Sequence, residues 1–267
     1  MFITVPGLVL KESLYNDNLT CLTVLTGERG KITVLTKESK SAKNRNRMAA
    51  QLLFYSELVL QERGGSFWLK EASIIESFPG IRDDIEGNLL AYYIADVANE
   101  VCVENSDESD MLSLALNSLY MIAQKTKPLS QIKAAFELRC ALVSGFAPEL
   151  SGCFRCGKDF GRGDRIYLDV MNGVLKCGEC LDEEEDNPSA YDTGTATLLI
   201  PLSFEVLCAM RYTVSCDPKR IFAFSLPDQL SLSMYSAACE KYLVNHVDKM
   251  FETLEMYRHM AGGSVAF

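Results

Sequence analysis

The sequence predicts an α+β chain of several modules: an N-terminal β-barrel, then a mainly α-helical C-terminal domain with a small four-cysteine module inserted in it. Three observations carry that reading. Apolar and polar residues alternate through the first 80 residues, the apolar period changes to that of helices from Pro79, and two tight cysteine pairs stand in mid-chain with twenty residues between them. With 267 residues, 48% of them hydrophobic and 23% charged, the chain has apolar material for more than one core.

The strands come first. Gly7–Tyr15 is one candidate; Leu19–Thr26 and Lys31–Lys37 alternate around Gly27-Glu-Arg-Gly30, a short hairpin loop; Phe54–Gln61 and Phe67–Ser77 form a second pair around Arg63-Gly64-Gly65. Five short strands with a longer polar insertion after the third suit a closed barrel of the OB type, with an open sheet or an SH3-like barrel as alternatives. This module is expected over residues 1–78. Ile81, Ile85, Leu89 and Tyr92 then repeat at helical spacing, and Met111–Gln124, Leu129–Ser144, Leu202–Val214 and the span Asp228–Met260 continue the helical pattern. The helical domain is expected over 79–149 and 186–267, with the cysteine module and an acidic linker over 150–185.

The two pairs, Cys153-x-x-Cys156 and Cys177-x-x-Cys180, have metal-ligand spacing. Each pair can aim two thiolates at one point, and a hairpin over the intervening stretch would bring the pairs together; Tyr167-Leu-Asp-Val-Met-Asn-Gly173 reads as its strand and turn. Gly157 and Gly178 follow knuckle cysteines, where a backbone without Cβ tolerates a tight turn. Structural Zn²⁺ closed by four sulfurs is the expected occupant, a site without an open position for a substrate. The acidic run Asp182–Asp186 reads as a solvated linker. Cys21, Cys102, Cys140, Cys208, Cys216 and Cys239 lie in apolar contexts and read as core thiols.

The formal net charge is −10, but it is unevenly spread. Residues 1–80 carry ten basic and eight acidic side chains, a net of +2, leaving −12 for the rest. Arg29, Lys31, Lys37, Lys40, Lys43, Arg45 and Arg47 fall within one stretch that holds two acids, Glu28 and Glu38. The polar loop that ends at Arg47 contains no large apolar residue, so it belongs in solvent, where it reads either as an ordinary surface loop or as a loop that tracks phosphates. Asn44 and Asn46 could add hydrogen bonds. Phe54, Tyr55, Phe67 and Trp68 are the nearest aromatic rings, available either to the core or to stacking.

Several function classes find no support. His246 and His259 are the two histidines, and neither sits in a nucleophile–base pattern. Gly27-Glu-Arg-Gly-Lys31 is too short for a phosphate loop, and no dinucleotide fingerprint, serine elbow or zincin motif occurs. No apolar run of about 18 residues is present, so no membrane partner is expected. The opening Met1-Phe-Ile-Thr-Val-Pro-Gly7 lacks an export signature, which predicts a cytoplasmic, reducing setting.

The pieces taken together resemble the RecO family of bacterial recombination mediator proteins over nearly the whole chain. Gly7-Leu-Val-Leu10 and Leu25-Thr-Gly-Glu-Arg-Gly-Lys-Ile32 are similar to its opening strands. Phe136-Glu-Leu-Arg139, Gly145-Phe-Ala-Pro148 and the two cysteine pairs are similar to its zinc segment. Thr36-Lys-Glu-Ser-Lys40 departs from the Ala-Lys-Gly-like turn of the family. The resemblance implies an OB domain, a helical domain and a zinc finger. It also implies binding of single- and double-stranded DNA, annealing of complementary strands, and help to RecA on strands coated by the single-strand-binding protein SSB. RecR and the C-terminal tail of SSB would be the protein partners, at the nucleoid. The leading expectation is therefore a non-enzymatic mediator of DNA repair and recombination, with the seven cations on phosphates. The rivals are a zinc-containing protein-interaction adaptor without nucleic-acid binding, and a nucleic-acid-modifying enzyme.

Overall fold

The computed structural model describes residues 1–16, 19–37, 45–186 and 196–262. Contacts divide the chain into two compact units, residues 1–126 with the C-terminal segment from Phe251, and residues 127–250. The first unit therefore combines the barrel with helices that the sequence assigns to a separate helical domain.

Alternation builds the barrel. β1 (Phe2–Asn16), β2 (Leu19–Thr26), β3 (Lys31–Lys37), β4 (Tyr55–Arg63) and β5 (Ser66–Glu76) close in the order β1-β2-β3-β5-β4, with a short helix, α1 (Arg45–Ala49), between β3 and β4. Every second residue points inward, and Val9, Leu22, Val24, Val34, Leu58 and Leu60 fill the interior at no more than 1% exposure. Neighbouring strands are antiparallel except at the closure, where β3 and β5 pair in parallel through Val34–Phe67 and Leu35–Trp68.

α2 (Ile85–Val101) and α3 (Ser109–Gln124) follow. Asp84 caps α2 by accepting from the Gly87 N–H at 3.3 Å. The β2–β3 turn docks on the connection between these helices: the Lys31 N–H donates to the Val103 carbonyl at 2.9 Å, Asn105 N–H to Arg29 at 3.1 Å and Glu108 N–H to Gly27 at 2.8 Å. Gly30 has φ +62°, and a Cβ there would stand 2.3 Å from the Val103 oxygen. The Gly-x-x-Gly turn is thus dictated by close backbone approach.

The second unit holds α4 (Leu129–Val143), β6 (Glu149–Cys153), β7 (Ile166–Asp169), β8 (Val174–Cys177), α5 (Gly178–Asp186), β9 (Leu199–Leu202), α6 (Phe204–Ser215) and α7 (Gln229–Val247). Its sheet runs β6-β8-β7-β9. The cysteine module is not a freestanding finger. β9, beyond the acidic run, pairs with β7, and one core joins Leu138 of α4, Leu168 and Leu175 of the sheet, Met210 of α6 and Tyr235 of α7 to three of the cysteines. A hairpin and two knuckles bury too little apolar surface alone, and the helices supply the rest.

α4 is buried from Gln131 to Ala141, charges included. The Lys133 ammonium lies 3.0 Å from Glu137 and 2.8 Å from Glu240. Burial opposes its charge, but the two carboxylates outweigh burial and hold its pKa above the ordinary lysine value. The Arg139 guanidinium donates to the carbonyls of Thr213, Val214 and Cys216 at 3.1, 3.2 and 3.1 Å. It thereby satisfies the end of α6, where helix carbonyls lack partners and a cation is favoured.

Other differences from the sequence reading are local. The span Asp228–Met260 is broken by Asp248 in the left-handed conformation, and α8 (Glu252–Met260) begins after the buried Phe251. Phe251 packs edge-on against Tyr93, and Thr253 donates to Asp96 at 2.7 Å, both within the first unit. Of the six scattered cysteines, Cys102, Cys140 and Cys239 are buried, Cys21 and Cys216 are half-buried, and Cys208 is exposed. No helix among the described residues is long and apolar enough to cross a membrane.

Lys133→Met should destabilise the second unit by about 3–5 kcal/mol, because Glu137 would keep its charge without its buried cation. Urea denaturation followed by circular dichroism measures this, and a change below about 1 kcal/mol would contradict the assigned role.

Candidate nucleic-acid groove and metal centre

The groove arises where β3 and β5 part. β5 carries a bulge there: Leu69 pairs with Leu60 and Glu71 with Val59, leaving Lys70 as the extra residue. Asn46 of α1 occupies the gap, its side-chain amide donating to the Lys70 carbonyl at 2.7 Å and accepting from the Ala72 N–H at 3.1 Å. Asn46 is therefore committed to the edge of β5. A groove of about 240 Å³ opens beside it, floored by Leu22, Ala50 and Leu69 and rimmed by Lys37, Arg47, Lys70, Trp68 and one carboxylate, Glu12. A second groove adjoins it through Glu12 and Arg47 and adds Arg82, whose guanidinium lies over the Phe54 ring at 4.8 Å.

The seven cations singled out by the sequence do not all gather here. Lys37 and Arg47 do. Arg29 and Lys31 stand at the far end of β3, about 20 Å along the strand, where the Lys31 ammonium donates to the Asn99 carbonyl at 2.5 Å. Lys40 and Lys43 lie outside the described residues, and Arg45 is described only as the first residue of α1. Lys70 and Arg82 were missed. Lys70 stands in a strand and Arg82 in a helix approach, and only the bulge and the tertiary packing bring them to the rim.

The four paired cysteines converge in the second unit. Their sulfurs all lie within 4.8 Å of one another. Cys153–Cys180 and Cys156–Cys177 are each separated by 3.8 Å, the edge of a tetrahedron built on metal–sulfur bonds of about 2.3 Å. β6 ends at Cys153 and β8 at Cys177, so strand pairing aims one knuckle at the other. Gly157, at φ +73°, lets the first knuckle turn back, and its N–H donates to the Cys153 carbonyl at 2.8 Å. Gly178 meets a different need, because a Cβ there would collide with the Arg165 guanidinium. Backbone N–H groups of Cys177 and Cys180 approach the sulfurs of Cys153 and Cys177, each at 3.4 Å. The donor set fits a metal ion held by four thiolates.

Protonation follows from these contacts. Burial pushes the Cys153 thiol up, but N–H groups of Cys156, Cys177 and Arg155 outweigh it and hold the pKa at about 6. Burial pushes Cys177 up to about 11 and Cys180 further still.

Charge around the centre is neutralised locally. The acidic run expected to be a linker forms α5, which folds back on the module's own cations. Arg155 meets Glu183 at 2.9 Å, Arg165 pairs with Asp182, and Lys176 meets Glu184 at 3.1 Å. Lys158 meets Glu179 and Asp164, both at 3.0 Å. Arg162 reaches Glu205 at 3.6 Å. Arg211 of α6 clamps the module, donating to the Leu150 and Ser151 carbonyls at 2.8 and 2.7 Å and to Asp159 at 2.7 Å.

Fold and sites define a two-unit α+β protein that pairs a cation-rimmed barrel with a helical unit built on a four-cysteine cluster. Residues 1–78 match the family described as recombination protein O N terminal, and residues 82–255 match recombination protein O C terminal. The chain belongs to the RecO family of DNA repair proteins. It is 27% identical over 257 residues to the DNA repair protein RecO of Acetivibrio thermocellus, covering 96% of both chains. It is 29% identical over 184 residues to that of Caldicellulosiruptor saccharolyticus, covering 69% of this chain and 74% of the relative. The RecO protein of Caldicellulosiruptor bescii is 25% identical over 96% of this chain and 98% of its own.

Metal uptake at pH 7 should release at least two protons per ion, since Cys177 and Cys180 must be deprotonated on binding whereas Cys153 is already largely thiolate. A weakly buffered titration with a pH indicator reads the stoichiometry, and release of fewer than one proton would contradict four-thiolate ligation.

Proposed function

We propose that this chain is a non-enzymatic mediator of DNA repair and homologous recombination. It binds single- and double-stranded DNA through its barrel, anneals complementary strands, and with RecR assists RecA loading onto SSB-coated single strands. The observation that carries the reading is the sorting of charge. Lys37 and Lys70 stand exposed on one groove, whereas the cations around the cysteine cluster sit against carboxylates. A polyanion is attracted to the first group and offered little by the second.

The strand order β1-β2-β3-β5-β4, with a helix between β3 and β4, supports an OB barrel, a fold that binds oligonucleotides across one face. Lys40, Lys43 and Arg45 precede Arg47 in sequence and extend the same cationic run. Phosphate contacts neutralise backbone charge without reading bases, so binding is sequence-tolerant. Annealing forms no covalent bond; it requires a surface that screens the repulsion of two strands. Handing a strand to RecA requires protein contacts as well, and the helices are the surface proposed for the SSB tail.

Zn²⁺ is the ion proposed for Cys153, Cys156, Cys177 and Cys180. Four thiolates close its tetrahedron, so the ion contributes folding energy and leaves no position for substrate. The work is assigned to the cytoplasm, at the nucleoid.

If about four phosphates are held, log K for a single-stranded oligonucleotide should fall with log salt at a slope of about −3. Combining Lys37→Glu, Arg47→Glu and Lys70→Glu should weaken binding equally across sequences and flatten the slope by about 2. Fluorescence anisotropy across a salt series measures both; an unchanged affinity and slope would remove the groove from DNA binding and favour an adaptor role.

A further inference from the structure

The outer face of the barrel carries the chain's single tryptophan beside the cationic groove. Directly opposed residues form a row across four strands: Cys21 on β2, Leu35 on β3, Trp68 on β5 and Gln61 on β4. Opposed residues share a face of the sheet. Leu22 and Val34, the sequence neighbours of Cys21 and Leu35, lie in the interior, and Phe67 and Leu69 on either side of Trp68 pack against that same interior. Trp68 therefore faces away from the core, and it is half-buried against its neighbours. A large ring held by a sheet with part of its surface open costs little entropy when it stacks on a ligand.

Cations bracket it. Lys37 lies two residues beyond Leu35, about 6.6 Å along β3, and Lys70 is the bulged residue two positions after Trp68 on β5. Both are exposed, and both line the groove with Trp68 and Arg47. Glu12 also lines this groove and is its one carboxylate. We propose, resting on the DNA-binding reading above, that Trp68 is the stacking seat for one unpaired nucleobase, with Lys37 and Lys70 holding the phosphates that flank it. A base inside a duplex has both faces covered by its neighbours, so the seat selects single strands, whereas phosphate contacts alone do not distinguish them.

Two readouts on the full chain test this. Binding of a labelled oligo-thymidine is followed by anisotropy, and occupancy of the seat by intrinsic emission, which arises from Trp68 as the chain's single tryptophan. The single strand should quench the emission in step with anisotropy, and a blunt duplex of equal length should bind with little quenching. Trp68→Ala should weaken single-strand binding by about 5- to 150-fold, and Trp68→Phe, which retains a ring, by less than about 5-fold. Duplex affinity should stay within about twofold for both. The wild-type quenching needs no variant, so the test survives if Trp68→Ala fails to fold. Anisotropy that rises with unchanged emission, or equal quenching by duplex, overturns the stacking seat and leaves DNA binding intact. No rise in anisotropy with either probe removes the DNA-binding reading itself, and the seat with it.

Discussion

The barrel closes through a short parallel contact, and that constraint shapes the first unit's surface. β3 and β5 run side by side for Val34–Phe67 and Leu35–Trp68 and then diverge. Backbone groups on the parting edge need partners, since an unsatisfied amide in a half-buried position is costly. Asn46 supplies them from α1, which pins the helix and the start of β4 beside the gap. The gap cannot be filled by a strand without losing this arrangement, so an apolar-floored opening persists at the end of a packed core. Exposed lysines and Arg47 then collect at its rim because β3 ends there and β5 bulges at Lys70.

The second unit solves a different problem. Its sheet is small, its two knuckles are tight, and its cations are numerous. α5 disposes of those cations by running Glu179, Asp182, Glu183 and Glu184 past them. Exposed ion pairs of this kind contribute little individually. Their effect is one of selection: they remove positive charge from the thiolate centre's surroundings. The barrel rim thereby becomes the more attractive surface for an anion.

Legibility in the sequence followed the range of the interactions. Leu19–Lys37 largely alternates and turns at glycines, and the CxxC pairs are local devices, so both were readable residue by residue. Arg29 and Lys31 looked equivalent to Lys37 because proximity in sequence conceals the length of a strand. Lys70 looked like an ordinary strand lysine because a bulge has no compositional mark. Asp182, Glu183 and Asp186 are solvated as read, but the run Asp182–Asp186 looked like a linker because its partners, Arg155, Arg165 and Lys176, precede it on other elements. β9 went unread, with Leu202 alone taken as the start of a helix, since Leu199–Leu202 gains its strand character from pairing with β7.

The docking of the β2–β3 turn on the α2–α3 connection bears on how the barrel could be inherited. Gly27, Arg29 and Lys31 each complete their backbone hydrogen bonds on residues between Val103 and Glu108. A polypeptide ending after residue 78 would carry those groups bare, next to apolar surface that α2 normally shields. The N-terminal barrel is thus ill suited to being shuffled between unrelated proteins as an interchangeable cassette, and its natural unit of transfer includes the helices that follow it.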